Sequence, residues 1–146
     1  IPDFKGETEN IDRIIDVAPE VVSHNLETVR RLTREVRIQA KYDRSLEVLK
    51  YLKDNGISRT KSGIMLGLGE NMEEVIETLE DLRRVSVDIV TLGQYLQPSK
   101  KHLPVVDFVS PDEFKEYEII AKDLGFRHVE SGPLVRSSYK AHKHIH

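Results

Sequence analysis

The side chains in this chain that could do chemistry lie mainly where predicted strands end. Residues 21–27 predict a strand that is apolar at its start and polar at its end, which places Asn25 and Glu27 at its carboxyl end. Side chains two residues apart on a strand point the same way. This amide and this carboxylate could therefore hydrogen-bond the hydroxyl groups of one ligand. The alternative is a helix cap followed by a solvated charge.

A glycine-rich turn follows the next predicted strand. Gly67 and Gly69 leave the backbone bare at a strand end, where open parallel sheets and α/β barrels present their loops to ligands. The spacing lacks the third glycine of a dinucleotide fingerprint and the Lys-Ser/Thr of a phosphate-binding loop. The alternative is a tight turn that only lets the following helix pack back on its strand.

Residues that commonly bind metals are sparse in this sequence. The chain has no cysteine, which excludes disulfides and any thiolate-bound zinc or iron–sulfur site made by this chain alone. His142, His144 and His146 alternate in a polar tail that could bind a stray divalent ion, although its composition favours disorder. His24 stands alone at a strand end, where a structural role is commoner than metal ligation.

The composition is that of one ordinary globular domain. The chain has 146 residues, of which 38% are hydrophobic and 32% charged, which is enough for a single core. A net charge of -3 argues against a general nucleic-acid surface, and no apolar run approaches the length of a membrane span. We therefore expect neither nucleic acid nor membrane as a partner.

Predicted strands and helices alternate along the chain. The strands cover residues 21–27, 61–66, 88–96 and 128–134, and the helices cover 9–17, 29–36, 44–54, 72–84 and 110–124, with Thr28 as the expected cap of the second helix. Alternation of this kind implies an α/β fold with parallel strands joined by right-handed crossovers. Four strands cannot close a barrel, so the sheet is either open and doubly wound or part of a barrel.

Four stretches of the sequence stand out as motifs: HNLET at 24–28, GIMLGLGE at 63–70, GQYLQPS at 93–99 and GPLVRSSY at 132–139. Taken together and in this order, they resemble the lipoyl synthase family of radical S-adenosylmethionine enzymes. The glycine-rich stretch is shared with radical S-adenosylmethionine enzymes in general. The terminal Arg-Ser-Ser-Tyr is particular to lipoyl synthases.

The resemblance implies a six-stranded partial (βα) barrel of TIM type. Residues 1–134 would form its C-terminal half, and residues 135–146 would form the Arg-Ser-Ser-Tyr segment and a polar tail. The sequence starts without an initiator methionine or a leader, which also suggests a start within a longer protein. Both cysteine triplets of the family are missing from this chain, so we expect the chain alone to be inactive.

The resemblance also implies a sulfurtransferase of lipoate biosynthesis with two [4Fe–4S] clusters. One cluster cleaves S-adenosylmethionine reductively, and the resulting 5′-deoxyadenosyl radical abstracts hydrogens at C6 and C8 of an octanoyl chain. The second, auxiliary cluster is consumed as the sulfur donor. The implied partners are an octanoylated lipoyl domain or glycine-cleavage H protein and a reductant such as flavodoxin or ferredoxin. We expect a cytoplasmic location.

The resemblance implies a binding site for S-adenosylmethionine at the strand ends. Asn25 and Glu27 would bind the two ribose hydroxyls. The turn that contains Gly67 and Gly69 would let the cofactor approach the backbone closely, and Leu96 would offer backbone hydrogen bonds to adenine.

Further roles are implied for the C-terminal segment and for the interior of the barrel. Ser138 would ligate the auxiliary cluster, with Ser137 as the neighbouring alternative, and Arg136 would orient the segment or support the charge of the cluster. Lys61 and Gln94 are candidates for lining the octanoyl and cofactor cavity. Either of the two could equally be a salt-bridged or exposed side chain.

Two interpretations of the whole chain remain open at this point. The alternative to a lipoyl synthase is a non-catalytic α/β module that binds adenosine or S-adenosylmethionine. Such a module has no use for a cluster ligand after its last strand, so the Arg-Ser-Ser-Tyr ending favours the enzyme. The basic run Arg30, Arg31, Arg34 and Arg37 is either a solvated helix face or a contact for an acidic lipoyl carrier protein.

Overall fold

The computed structural model describes residues 1–2, 8–17, 19–36 and 41–136. The helices are α1 (Thr8–Val17), a short 3₁₀ helix (Arg30–Leu32), α2 (Thr33–Val36), α3 (Tyr42–Asp54), α4 (Met72–Arg84) and α5 (Pro111–Asp123), and the strands are β1 (Val21–Ser23), β2 (Arg59–Leu66), β3 (Ile89–Gln94) and β4 (His128–Ser131). Strand and helix alternate as the sequence predicts. The first and last strands are shorter than expected.

All four strands pair in parallel, and their order in the sheet is their order in the chain, β1-β2-β3-β4. In a doubly wound sheet the strand order reverses at a switch point. This sheet has no such reversal, because each strand is added on the same side of the one before it. Right-handed crossovers between such strands place all the connecting helices on one face of the sheet. The arrangement is an α/β fold of the kind found in part of a TIM-type barrel, as predicted.

The helix-covered face of the sheet carries the main hydrophobic core. Ile64 and Leu66 of β2 and Val90 and Leu92 of β3 are almost fully buried there, together with apolar residues of α3, α4 and α5. Burying each of these side chains contributes roughly 1.5–3 kcal/mol. The opposite, inner face carries smaller side chains, among them Gly63 and Thr91, and this leaves room for a cavity.

The helix starts follow the sequence signals closely at α4 and α5. The Asn71 side chain accepts the backbone N–H of Glu74 at 2.9 Å, and the Glu74 carboxylate accepts the N–H of Asn71 at 3.0 Å, which is a complete capping box. At α5, Ser110 accepts the N–H of Glu113 at 3.2 Å, and a proline occupies the first helical position. The predicted start of α5 is confirmed.

The basic segment after β1 differs from the prediction. The expected single helix over 29–36 is a 3₁₀ turn followed by the four-residue α2. The predicted cap at Thr28 is wrong, because Val29 still has extended backbone angles and is itself the N-cap residue. Thr28 is fully buried beneath the turn.

Within the ranges that the structure describes, every helix is too short or too polar to cross a bilayer.

Candidate functional site

A cavity of about 260 Å³ opens on the inner face of the sheet, at the carboxyl ends of β1, β2 and β3. Five residues that the sequence singled out line it together: Asn25, Glu27, Gln94, Leu96 and Arg136. They come from three separate stretches of the chain. Carboxyl ends of parallel strands are the usual ligand-binding edge of such sheets.

A β-bulge directs the first two of these residues into the cavity. The backbone N–H groups of His24 and Glu27 donate at 2.9 and 3.0 Å to two carbonyl groups that are only two residues apart on β2. The segment from His24 to Glu27 is therefore one residue longer than the segment of β2 that it pairs with. The extra residue lies within Asn25-Leu26, which is the bulge. The N–H of Leu26 donates to the Ser62 hydroxyl at 3.1 Å.

Glu27 has a backbone conformation that residues other than glycine rarely adopt. Its φ angle is 72°, in the left-handed region. The conformation is held by two backbone hydrogen bonds to β2, from Glu27 to the carbonyl of Gly63 at 3.0 Å and from Met65 to the carbonyl of Glu27 at 2.8 Å. Such strain costs of order 1–3 kcal/mol and concentrates at functional sites. The outlier marks Glu27 as a candidate functional residue.

Gly63 forms the floor of the cavity between two polar side chains. A Cβ atom at this position would lie 2.6 Å from the Thr91 hydroxyl and 3.2 Å from Oδ1 of Asn25. Only glycine therefore lets these two side chains come this close over β2. The Asn25 Oδ1 atom also accepts the Ser23 hydroxyl at 3.4 Å.

The C-terminal segment crosses β3 at Gly93. A Cβ atom there would collide with the carbonyl oxygen of Val135, so glycine is required for the crossing. Arg136 Nη1 donates to that same carbonyl at 2.9 Å, and both residues line the cavity. Ser137 and Ser138 lie outside the described residues, as do the three histidines of the tail.

The glycine turn is closed by its own glutamate. Gly67 and Gly69 have φ angles of 104° and 107°. The N–H groups of Gly67 and Leu68 donate to the Glu70 carboxylate at 3.0–3.1 Å, and the Gly67 carbonyl accepts the N–H of Val106 at 2.8 Å. Burial raises the pKa of Glu70, and these backbone donors oppose that rise. Neither glycine lines the 260 Å³ cavity, so their contact with a cofactor stays a prediction.

Gln94 uses its side-chain amide to hold a long loop. Nε2 donates to the carbonyls of Tyr95 and Asp107 at 2.9 and 3.0 Å, and Oε1 accepts the N–H of Val109 at 3.0 Å. The group is buried. Gln94 therefore lines the cavity and also fastens both ends of the loop between β3 and α5, a role that the sequence does not signal.

Lys61 lies on β2 two residues before the cavity floor at Gly63. It is almost fully buried, and burial lowers the pKa of its ammonium group while Glu130 on β4 opposes that shift. Lys61 does not line the 260 Å³ cavity. Its role in a larger octanoyl cavity stays a prediction.

A second cavity of about 550 Å³ adjoins the first one. The two share Glu27, Met65 and Leu96 among their lining residues. The remaining wall is largely apolar and comes from α2 and from the loop that Gln94 holds. This cavity was not predicted, since the apolar residues of the loop, such as Leu103, follow no helical or strand periodicity.

The chemistry of the first cavity fits a nucleoside. Asn25 and Glu27 offer an amide and a carboxylate for the two hydroxyls of a ribose, and Leu96 offers an apolar surface and its backbone beside them. The fit does not extend to an iron–sulfur cluster, because the chain has no cysteine. In the described part of the chain, no cluster of three or more His, Asp or Glu side chains could hold a metal ion.

Comparison with known proteins decides the family. The model of the Radical SAM superfamily matches residues 1–82, more than half of the chain, and this range includes the bulge and the glycine turn. The chain belongs to the Radical SAM superfamily.

Relatives of this radical SAM chain extend the match to nearly all of its length. It is 77% identical over 145 residues to the lipoyl synthase of Christiangramia forsetii, with 99% of this chain and 50% of the relative covered. It is 75% identical over 146 residues to the mitochondrial lipoyl synthase of Nematostella vectensis, with 100% of this chain and 50% of the relative covered. The predicted resemblance to lipoyl synthases is confirmed. The chain spans about half the length of the curated relatives it matches.

Proposed function

We propose that this radical SAM chain forms part of a lipoyl synthase, a sulfurtransferase that inserts two sulfur atoms at C6 and C8 of a protein-bound octanoyl-lysine. The observation that carries the proposal is the joint placement of Asn25, Glu27, Leu96 and Arg136 around one cavity. It is supported by the high identity to relatives that are named lipoyl synthase.

In this proposal the cavity binds S-adenosylmethionine, which supplies radical chemistry when bound. Asn25 and Glu27 hold the two ribose hydroxyls, and the bulge fixes the direction of both side chains. The backbone at Leu96 binds adenine. Gly67 and Gly69 keep the adjacent turn close to the cofactor.

The proposal assigns two [4Fe–4S] clusters to the complete enzyme, with thiolate ligands from outside this chain. Ser138 supplies an oxygen ligand to the auxiliary cluster, and Arg136 supports it from the crossing over Gly93. The partners are an octanoylated lipoyl domain or glycine-cleavage H protein and a reductant such as flavodoxin or ferredoxin. A cytoplasmic location is part of the same proposal.

The test joins this chain to the remaining half of the Christiangramia forsetii relative and measures both cleavage of S-adenosylmethionine and lipoylation of an octanoylated lipoyl domain. Asn25→Ala and Glu27→Gln each remove a hydrogen bond to ribose, which is worth about 1–3 kcal/mol. We expect the KM for S-adenosylmethionine to rise by roughly 5- to 150-fold. Ser138→Ala is expected to keep cleavage and lose the product.

The matched control is Glu116→Gln, an exposed carboxylate on α5 that makes no ion pair with any described residue. Its KM should equal that of the unmodified fusion. Cleavage of S-adenosylmethionine without sulfur insertion by the unmodified fusion would assign the chain to another radical reaction. Binding without cleavage would favour the non-catalytic module.

A further inference from the structure

A basic groove lies outside the candidate site, between the 3₁₀ turn, α2 and the start of α3. Residues 30–44 contain six basic and two acidic residues, although the chain as a whole has a net charge of -3. The groove measures about 540 Å³, and Arg30, Arg34, Lys41 and Arg44 line it. Four cations therefore line one concave surface.

Three of these cations have no acidic partner within the described part of the chain. Arg30 Nη1 donates to Asp43 at 2.8 Å, which neutralises both groups. Arg34, Lys41 and Arg44 make no ion pair with any described residue. Glu47 is the remaining acidic residue in the lining, so the groove keeps a surplus of positive charge.

The walls of the groove are held firmly. The Arg30 guanidinium lies over the Tyr42 ring, 4.3 Å from its centroid, and the Tyr42 hydroxyl donates to Asp81 on α4 at 2.7 Å. On the facing side, the Thr33 hydroxyl donates to the carbonyl of Val29 at 3.0 Å. These contacts fix the backbone that carries the free cations, and a fixed scaffold loses little entropy when a partner binds.

The groove lies next to the larger cavity of the candidate site. Thr33 and Arg34 of α2 line the groove, whereas Glu35 and Val36 of the same helix line the 550 Å³ cavity. Helix α2 is about one turn long, so the two openings are roughly 6 Å apart along its axis. A long side chain on a partner bound at the groove can therefore reach into the cavity.

We infer that the basic groove docks an acidic surface of the protein that carries the acylated lysine, and this inference rests on the proposed function. Carboxylates beside that lysine would pair with Arg34, Lys41 and Arg44 and direct the acylated lysine side chain past α2 into the 550 Å³ cavity. An extended polyanion such as nucleic acid would also have to cross the acidic remainder of the chain, whereas a compact acidic patch meets only the groove.

The test uses the fusion with the remaining half of the Christiangramia forsetii relative and reverses the three cations together, Arg34→Glu/Lys41→Glu/Arg44→Glu. We expect the KM for an octanoylated lipoyl domain to rise about tenfold or more, because opposite charges at an interface rim govern association. The KM for a short uncharged octanoyl-lysine peptide should stay unchanged. Added salt should raise the KM for the domain in the unmodified fusion and have little effect on the variant.

The matched control is Lys115→Glu/Lys122→Glu/Arg127→Glu, which makes the same change of charge at α5 and the turn after it, at the other end of the sheet. Its KM for the domain should stay within about twofold of the unmodified fusion. Both variants are checked by thermal unfolding, and Lys41→Glu alone replaces the triple variant if the latter fails to fold. Equal effects of the two reversals on the domain would overturn the inference.

Failure of the proposed function gives a different result. If the unmodified fusion converts neither the domain nor the peptide, its affinity for the lipoyl domain is titrated directly. Affinity that falls in the groove variant and persists in the control still supports docking. Affinity that is equal in all three proteins overturns it. Loss of binding to duplex DNA or to phosphatidylglycerol vesicles, with binding of the domain unchanged, also overturns it.

Discussion

Gln94 is a single buried side chain that holds the loop beside the two cavities in place. Its three hydrogen bonds join the first and last parts of the loop between β3 and α5, at Tyr95, Asp107 and Val109. The bonds at Tyr95 and Val109 are buried and the bond at Asp107 is partly buried, so these backbone groups have their partner in this one amide. An unpaired buried polar group costs about 1–3 kcal/mol.

Gln94→Leu is expected to lower the free energy of unfolding by roughly 2–4 kcal/mol, because a side chain of similar size leaves several backbone groups unpaired. Urea unfolding of the isolated chain measures this change. The control is Gln97→Leu in the same loop, where the exposed Gln97 amide donates, among the described residues, to the carbonyl of His102 alone. Its effect should stay within about 0.5 kcal/mol. Similar losses in the two variants would show that Gln94 does not fasten the loop.

The spacing of Asn25 and Glu27 predicts that both side chains meet at the end of the strand, but it does not predict the bulge that directs them there. The sequence predicts an unbroken strand over 21–27, whereas regular pairing ends at Ser23 and a bulge follows. The bulge depends on the hydroxyl of Ser62, 36 residues further on, which takes the N–H of Leu26. A local pattern carries no information about such a distant partner.

The same limit applies to the glycines. The sequence marks Gly67 and Gly69 correctly as a turn, since their type and spacing are local signals. It does not distinguish Gly63 or Gly93, whose roles come from side chains and backbone that cross them from other parts of the chain.

At the scale of elements, Glu74 connects three parts of the structure. Its carboxylate accepts the N–H of Asn71 and two donors of Arg31, at 2.8 and 3.0 Å. Arg31 also donates to the carbonyl of Gly69 at 2.9 Å. The start of α4, the glycine turn and the 3₁₀ segment are thus joined at one ion pair.

The pH dependence of stability follows from this pair. The hydrogen bond from Arg31 lowers the pKa of Glu74. A carboxyl group whose pKa is lower in the folded state stabilises the fold above its unfolded pKa, and this contribution is lost as the pH falls. Wild-type stability should therefore drop below pH of about 4.3, the ordinary glutamate pKa.

Glu74→Gln is expected to flatten this acid-side decline, because the neutral amide takes up no proton. The measurement is the free energy of unfolding by urea at neutral and at acid pH. Glu73→Gln, an exposed residue in the same turn with no ion pair among the described residues, is the control and should keep the wild-type slope. A Glu74→Gln protein with the wild-type slope would contradict the assignment.

At the scale of the whole molecule, β1 lies at an edge of the sheet and pairs, among the described residues, only with β2. The residues that flank β1 form hydrogen bonds with β2: the Glu20 carbonyl accepts from Arg59, and the His24 N–H donates to Lys61. In a parallel pair only every second residue bonds to the neighbouring strand. Val21 and Ser23 therefore direct their backbone groups away from β2. The ammonium group of Ile1 donates to the Ser23 carbonyl and covers part of this edge. Exposed strand edges promote association between chains.

The isolated chain is therefore expected to self-associate as its concentration rises, which sedimentation velocity measures. Val21→Pro removes an outward N–H without touching the pairing with β2, so it should shift the chain towards monomer. Lys100→Pro is the control, because Lys100 occupies the second position of the turn that the His102 N–H closes onto the Ser99 carbonyl at 3.0 Å. A monomer at all concentrations would contradict an exposed pairing edge.

The sequential order of the strands also bears on how the chain is made. Each strand after β1 pairs with the strand synthesised just before it, and its other edge is then available to the next strand. The sheet can grow stepwise during translation, one strand and helix at a time, and no early segment has to wait for a distant one. Pairing between neighbours in the chain keeps loop closure short, which favours rapid folding. The sheet and the core that packs on it can thus form in the order in which the strands are synthesised.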